Sequence, residues 1–199
     1  MNSLQSNLPN DAPVVSAAKA RLLDTARELF CRRGIHATGI TSIIEESNVS
    51  RRTLYEHFGS KDNLLRAVFE REGKMWFDWF DVNLPAMSAD PKTQLIRLFN
   101  LLHDWFSGPD FYGCIFINAV AEHDKRLGWV APHAHAHLKA VRERILRLAE
   151  ATGLPQPDVV ADQLCLLIDG SIVSAMVSRR PDSALTAQSV ALTLLARQE

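Results

Sequence analysis

Cysteine is scarce in this chain: Cys31, Cys114 and Cys165 are its only three, odd in number and far apart. Such spacing gives neither a disulfide framework nor a CxxC pair for zinc, and it fits reduced thiols in a cytoplasm. No export leader is legible. The opening Met1-Asn-Ser-Leu-Gln-Ser-Asn-Leu-Pro-Asn-Asp-Ala-Pro13 has no basic start and no sustained apolar stretch, so residues 1–15 are expected to form a flexible N-terminal tail. The most apolar run, Leu164 to Val177, carries Asp169 and several small polar residues. It falls short of a membrane-spanning length, so a buried helix and no membrane partner are expected. Charge of one sign is not in excess either: 22 Lys and Arg face 23 Asp and Glu, which excludes a uniformly basic coat. The balance tilts slightly positive over residues 1–74 and slightly negative beyond, which permits a local cationic face near the N-terminus. Runs rich in β-formers, internal repeats and low-complexity tracts are absent from the sequence.

What the chain has is apolar residues at helical spacing, within a 47% hydrophobic composition that suffices for a packed core. Leu22, Leu23, Ala26, Leu29 and Phe30 gather on one face of a first helix that starts near Ser16 and ends at Gly34. Ile40, Ile43 and Ile44 mark a second, short helix running into Ser47-Asn48, where Asn48 can take the left-handed turn conformation. Ser50 then offers an N-cap hydroxyl, with Val49 and Leu54 placed as a hydrophobic staple. Gly59 closes this third helix and Ser60 caps a long fourth, expected to end about Asn83, before Pro85. Helical patterns continue through Leu95 to Phe106, Cys114 to Glu122, Leu138 to Leu148, Pro157 to Arg179 and Ser183 to Arg197. The expectation is an all-α protein of about nine helices.

Helices two and three make a pair of the helix-turn-helix kind, whose second helix enters a major groove. Leu54 and Phe58, at i and i+4, must face inward, which sends Arg52 and Glu56 outward. Arg51, Arg52, Thr53 and Tyr55 lie on or beside that outer surface, near the helix N-terminus. An arginine fork can donate to O6 and N7 of one guanine, worth about 1–3 kcal/mol of discrimination. Tyr55, His57 and Lys61 can donate to phosphate oxygens, which sets register without reading sequence. With Thr41 and Ser50 these residues form the candidate DNA-binding set.

The segments Gly34-Ile-His-Ala-Thr-Gly-Ile-Thr-Ser-Ile-Ile44, Val49-Ser50, Thr53-Leu-Tyr-Glu-His-Phe58 and Ser60-Lys-Asp-Asn-Leu64 together resemble the tetracycline-repressor-like (TetR/AcrR) regulators over about residues 18–66. Asn48 stands where that family often has glycine, and Ile44 where it often has alanine. The resemblance implies a cytoplasmic homodimer on a near-palindromic operator in double-stranded DNA. It also implies a three-helix DNA-binding domain over residues 16–66 and a larger helical domain over 67–199 that dimerises and binds a small effector. Repression is the expected direction.

Aromatic residues concentrate in the C-terminal part, and such side chains line pockets as well as cores. Trp76, Phe80, Trp105, Phe106 and Phe116, joined by Asn118 and Glu122 at i and i+4 on one face, are the candidate effector-binding set, for an apolar or aromatic molecule of unknown identity. Leu167, Gly170 and Ser174 on the penultimate helix, with Val190 and Leu194 on the last, are the candidate dimer interface. The run His133-Ala-His-Ala-His137, with His123, invites a metal reading, but no cysteine or spaced carboxylate completes a set, so no metal or other cofactor is expected and an exposed helix start is favoured. Two alternatives stay open: an effector-independent DNA-binding protein, and a metal- or thiol-dependent enzyme using the His123–His137 region or Cys114, which lacks a readable base, nucleophile and orienting partner.

Overall fold

The computed structural model describes residues 17–123 and 128–196. Within them there are nine α-helices and no strand, as expected: α1 (Ala17–Arg33), α2 (Ile40–Ser47), α3 (Arg51–Phe58), α4 (Lys61–Met87), α5 (Pro91–Phe106), α6 (Ile115–Glu122), α7 (Val130–Ala151), α8 (Pro157–Ser178) and α9 (Ser183–Ala196). The expected N-terminal tail lies outside the described residues. The helices sort into two compact units. Of the described residues, 17–76, 114–123 and 128–134 make one, and 77–113 with 135–196 make the other. This division differs from an expected break at residue 66, because α6 and more of α4 share the N-terminal core.

In that first unit the apolar faces of α1, α3 and α4 meet around Leu22, Leu29, Phe30, Leu54, Leu64 and Phe69, all 2% exposed or less. Full burial of each such side chain is worth about 1.5–3 kcal/mol. Phe116 from α6 joins the cluster, its ring centroid 4.8 Å from that of Phe69, and Trp129 adds an edge-on contact to Phe69 at 5.6 Å. The α2–α3 turn forms for the reason its sequence implies: Asn48 sits at φ 51°, ψ 43°, the left-handed conformation that asparagine tolerates.

In the second unit α9 packs along both α5 and α8. Small side chains allow this: Ala184, Ala187 and Ala191 are the buried positions of α9, with Leu195, and they let the helix axes approach closely. Gln188 fixes the register by donating from Nε2 to the Ile96 carbonyl at 2.9 Å and to Asn100 Oδ1 at 2.8 Å. Asp90 caps α5 by accepting from the Thr93 N–H at 2.8 Å.

Two helices depart from expectation. α4 continues through Pro85 to Met87 instead of stopping near Asn83. Pro85 lies in the last turn, where the carbonyl deprived of its N–H belongs to exposed Asp81 and buried Leu84 holds the turn in place. α8 runs 22 residues with a hydropathy of 1.6 over its most apolar stretch, long and apolar enough by length and composition to cross a membrane. The shortfall in length expected from the Leu164–Val177 run therefore does not hold. It packs against α9 and α5, its buried residues include Val160, Ala161, Leu164, Ile168 and Ile172, and its first turns carry Asp158 and Asp162, both paired to Arg142 of α7.

His137 gives this unit a pH response. Its ring stacks on Phe77 at 5.1 Å, and Arg144 lies over the same Phe77 ring at 3.8 Å while pairing with Asp81 at 3.2 Å. Burial, with the Arg144 charge behind it, holds the imidazole down at about 4 instead of 6.5. The unfolded chain then takes up this proton first as pH falls, so His137 contributes stability above pH 6.5 that is lost between about 6.5 and 4, by at most about 3 kcal/mol. Urea unfolding at pH 7 and pH 4.5 should show His137→Phe with a smaller acid-dependent loss than the parent chain; an equal loss in both would remove His137 from this role.

Candidate nucleic-acid interface

Helix α3 begins where Ser50, at φ −65° and ψ 150°, accepts from the Thr53 N–H at 3.1 Å; the two hydroxyl oxygens also lie 2.8 Å apart. Its inward seam is Leu54, fully buried, and Phe58, 7% exposed. With those two committed to the core, the remaining positions turn to solvent. Arg51, Arg52, Tyr55, Glu56 and His57 are exposed, and Thr53 is half-buried under the cap. Tyr55 is 43% exposed despite its apolar ring, and the Arg52 side chain is 88% exposed. Arg51 Nη2 donates to Thr41 Oγ1 of α2 at 3.3 Å, so the exposed Thr41 belongs to the same surface. Arg52 Nε donates to Glu56 Oε1 at 2.7 Å within its own helix. Both arginines thus stand at the N-terminal end of an outward face, held by contacts that a base edge or phosphate can replace.

Lys61, assigned to phosphate from the sequence, is placed differently. Its Nζ donates to the Ile35 carbonyl in the α1–α2 connection and lies 6.0 Å from the Phe30 ring centroid. Partial burial pulls its pKa below the usual lysine value. The same connection is held from α6: Glu122 Oε2 accepts from the His36 N–H at 3.0 Å, and the His36 and His123 rings stack at 4.6 Å. Gly34, at φ 93°, takes a conformation that favours glycine, and a Cβ there would meet Glu122 Oε2 at 3.1 Å, so the carboxylate would have to shift. Thr38, 1% exposed, completes the turn by donating to the Leu29 and Gly34 carbonyls. Sequence reading passes over His36 and Thr38. Thr38 carries no periodic signal, and the His36 contact joins residues 86 apart.

Residues 22–68 match the model of the family described as "Bacterial regulatory proteins, tetR family". Over 161 residues the chain is 27% identical to the HTH-type transcriptional repressor ComR of Escherichia coli (strain K12), a match that covers 77% of each chain. It is 39% identical over 70 residues to the HTH-type transcriptional activator FasR of Mycolicibacterium smegmatis, covering 35% of this chain and 30% of that one. The fold extends the likeness past the N-terminal helices: a TetR-family transcriptional regulator of known structure from Streptomyces coelicolor superposes with a TM-score of 0.81 at 28% identity, over 91% of this chain and 95% of that one. This chain is a TetR-family, DNA-binding transcriptional regulator.

In this TetR-family regulator the candidate effector residues divide between the two units. Trp76, Phe116, Asn118 and Glu122 belong to the unit that carries α3, and Phe80, Trp105 and Phe106 to the other. Phe116 is core, 5% exposed, and Glu122 holds the α1–α2 connection. Trp105, Phe106 and Phe111 form a cluster of their own, with centroids 4.7–5.5 Å apart. The dimer candidates are better grouped: Leu167, Gly170, Ser174 and Val190 line one groove of about 410 Å³ along α8 and α9, and Leu194 lies further along α9, half-buried.

The regulator's histidine run is not an exposed helix start: α7 begins at Val130, and His133 and His137 are half-buried while His135 is exposed. His133 Nδ1 lies 3.2 Å from the Trp129 carbonyl and its ring meets Trp129 edge-on. Among the described residues no three His, Cys, Asp or Glu side chains come together as a metal set. Burial pushes the Cys31 and Cys165 thiols up to about 12, which disfavours the thiolate.

Proposed function

We propose that this regulator is a cytoplasmic homodimer that represses transcription from a near-palindromic operator and is released by a small apolar or aromatic effector. The observation that carries the reading is the outward face of α3, where Arg51, Arg52 and Tyr55 project from a helix pinned by Leu54 and Phe58. Two such helices must enter successive major grooves, with centres about 34–36 Å apart. Self-association through α8 and α9 is supported by the apolar side chains left in water there: Leu166 is 73% exposed and Val177 75%, with Val173, Val190 and Leu192 beside them. The direction of control rests on ComR, named a repressor, whose match spans most of both chains, whereas the match to the activator FasR spans about a third of each.

Release is a population shift between two arrangements of the α3 pair. Glu122 and Lys61 supply the coupling, because both grip the short connection from which α2 and α3 are hung. A displacement of α6 by even an ångström breaks or drags the Glu122–His36 bond.

Operator selection with the purified full chain from random duplexes, followed by sizing of the complex, tests this reading. A palindromic consensus bound by two chains is the expected result. An asymmetric consensus bound by one chain overturns the dimer, and no consensus at all overturns sequence reading by α3. Cellular reporter assays with the selected site give the direction, with repression expected and activation contrary to it.

A further inference from the structure

Away from α3, the facing sides of α7 and α8 leave an open cleft of about 480 Å³, within the range of about 300–1,000 Å³ that small-molecule sites occupy. Leu138 and Val141 from α7 with Ile168 and the Cys165 thiol from α8 make its apolar walls, and His135, Lys139 and Arg142 stand at its rim. The thiol is neutral, its pKa pushed up to about 12 by burial and then by the nearby Asp169. Asp169 also lines the cleft, and among the described residues it has no hydrogen-bond or ion-pair partner. Burial alone raises its carboxyl above the usual range.

The cations at the rim do not serve Asp169. Arg142 gives Nε to Asp162 at 2.6 Å and Nη2 to Asp158 at 3.2 Å, so one guanidinium already answers two carboxylates. Lys139 lies 4.0 Å from Glu143 on its own helix. Among the described residues Asp169 is therefore the cleft's one carboxylate and has no cationic partner, drawn half out of water against hydrocarbon. A carboxylate so placed gains most from a partner that brings both positive charge and N–H donors. An anion finds the nearest fork engaged, and a neutral apolar molecule leaves Asp169 more desolvated than before.

We propose that the α7–α8 cleft is a binding site for a small organic cation, a primary or secondary ammonium on a compact apolar body, with Asp169 as its counter-ion. The apolar body lies against Leu138, Val141 and Ile168, and the ammonium donates to the Asp169 carboxylate. Occupancy here requires neither operator binding nor the effector scheme above, so it stands or falls by itself.

The test is equilibrium binding, by calorimetry and ligand-observed NMR, of benzylammonium, cyclohexylammonium and butylammonium to the full chain near pH 7.5, with benzyl alcohol as the uncharged match for the first. At least one ammonium should bind saturably, one per chain, and benzyl alcohol about tenfold more weakly than benzylammonium or not at all. Asp169→Asn should weaken the ammonium at least about tenfold, a difference of about 1.4 kcal/mol, while Asp169→Glu retains most of the binding and shows that the charge, and not the fold, was lost. Failure of all three ammonium ions to saturate at millimolar concentration overturns the site, as does equal binding by the alcohol or by Asp169→Asn. If Asp169→Asn does not fold, the parent chain alone decides: benzylammonium binding no tighter than benzyl alcohol overturns the site, and tighter binding of the ammonium upholds it. Operator binding by Asp169→Asn at parental strength is the expected companion result.

Discussion

Changing Arg51 and Arg52 together to alanine should lower affinity for the selected operator by about a hundredfold or more while leaving the fold and the thermal midpoint nearly unchanged. Each arginine stands exposed at the start of α3, and each has a guanidinium able to meet guanine O6 and N7 with two bonds. One such pairing discriminates by about 1–3 kcal/mol, and tenfold in affinity corresponds to about 1.4 kcal/mol. The fold is spared because the contacts surrendered are small: an exposed bond from Arg51 to Thr41 and an exposed i,i+4 pair from Arg52 to Glu56, the latter worth about 0.3–0.5 kcal/mol. Titration against the operator and a scrambled duplex over a range of salt concentrations separates the roles. Arginines that read bases lose affinity mainly for the operator; arginines that touch only phosphates lose it on both duplexes and flatten the salt dependence. A double variant that binds the operator as the parent does removes α3 from recognition.

Phe69→Ala should cost about 3–5 kcal/mol of folding stability, as truncation of a buried phenylalanine does. Phe69 is 2% exposed and touches the rings of both Phe116 and Trp129, so it joins α4 to α6 and to the residues leading into α7. Truncation leaves a void that three elements must collapse together to fill. For a chain of this length each kcal/mol moves the thermal midpoint by roughly 2–4 °C, so a fall of roughly 6–20 °C is expected in a thermal melt. Operator affinity should fall with it at temperatures near the new midpoint, because Leu54 and Phe58 pack into the same cluster. A loss below about 1 kcal/mol would mean the aromatic cluster repacks freely, which a close-packed core does not do.

Much of the recognition helix is readable in the sequence because it is local. The seam of Leu54 and Phe58, the Ser50 cap and the left-handed Asn48 depend on neighbours within a few residues, and each stands in the structure where helix periodicity and side-chain chemistry put it. Long-range choices are not legible. Nothing near Glu122 in the chain announces that its carboxylate reaches His36, and nothing near Lys61 that it turns to the Ile35 carbonyl instead of outward. Nor does closeness in number decide which unit an aromatic joins: Phe116 and Trp105 fall in different packed units. Pro85 reads as a helix stop because its own chemistry is local, whereas the burial of Leu84, which carries the helix past it, depends on distant packing. His137 reads as part of a polar helix start, since its burial depends on Phe77, which is 60 residues earlier.

The pair of Arg52 and Glu56 has a consequence of its own. When Arg52 turns toward a duplex, the carboxylate it leaves behind must face a polyanion without its partner. Every landing on DNA meets that repulsion, correct sequence or not, while only a guanine in the right place returns the two bonds that outweigh it. Glu56 in this view weakens every landing, and its removal should lengthen dwell times on unrelated DNA and on the operator alike.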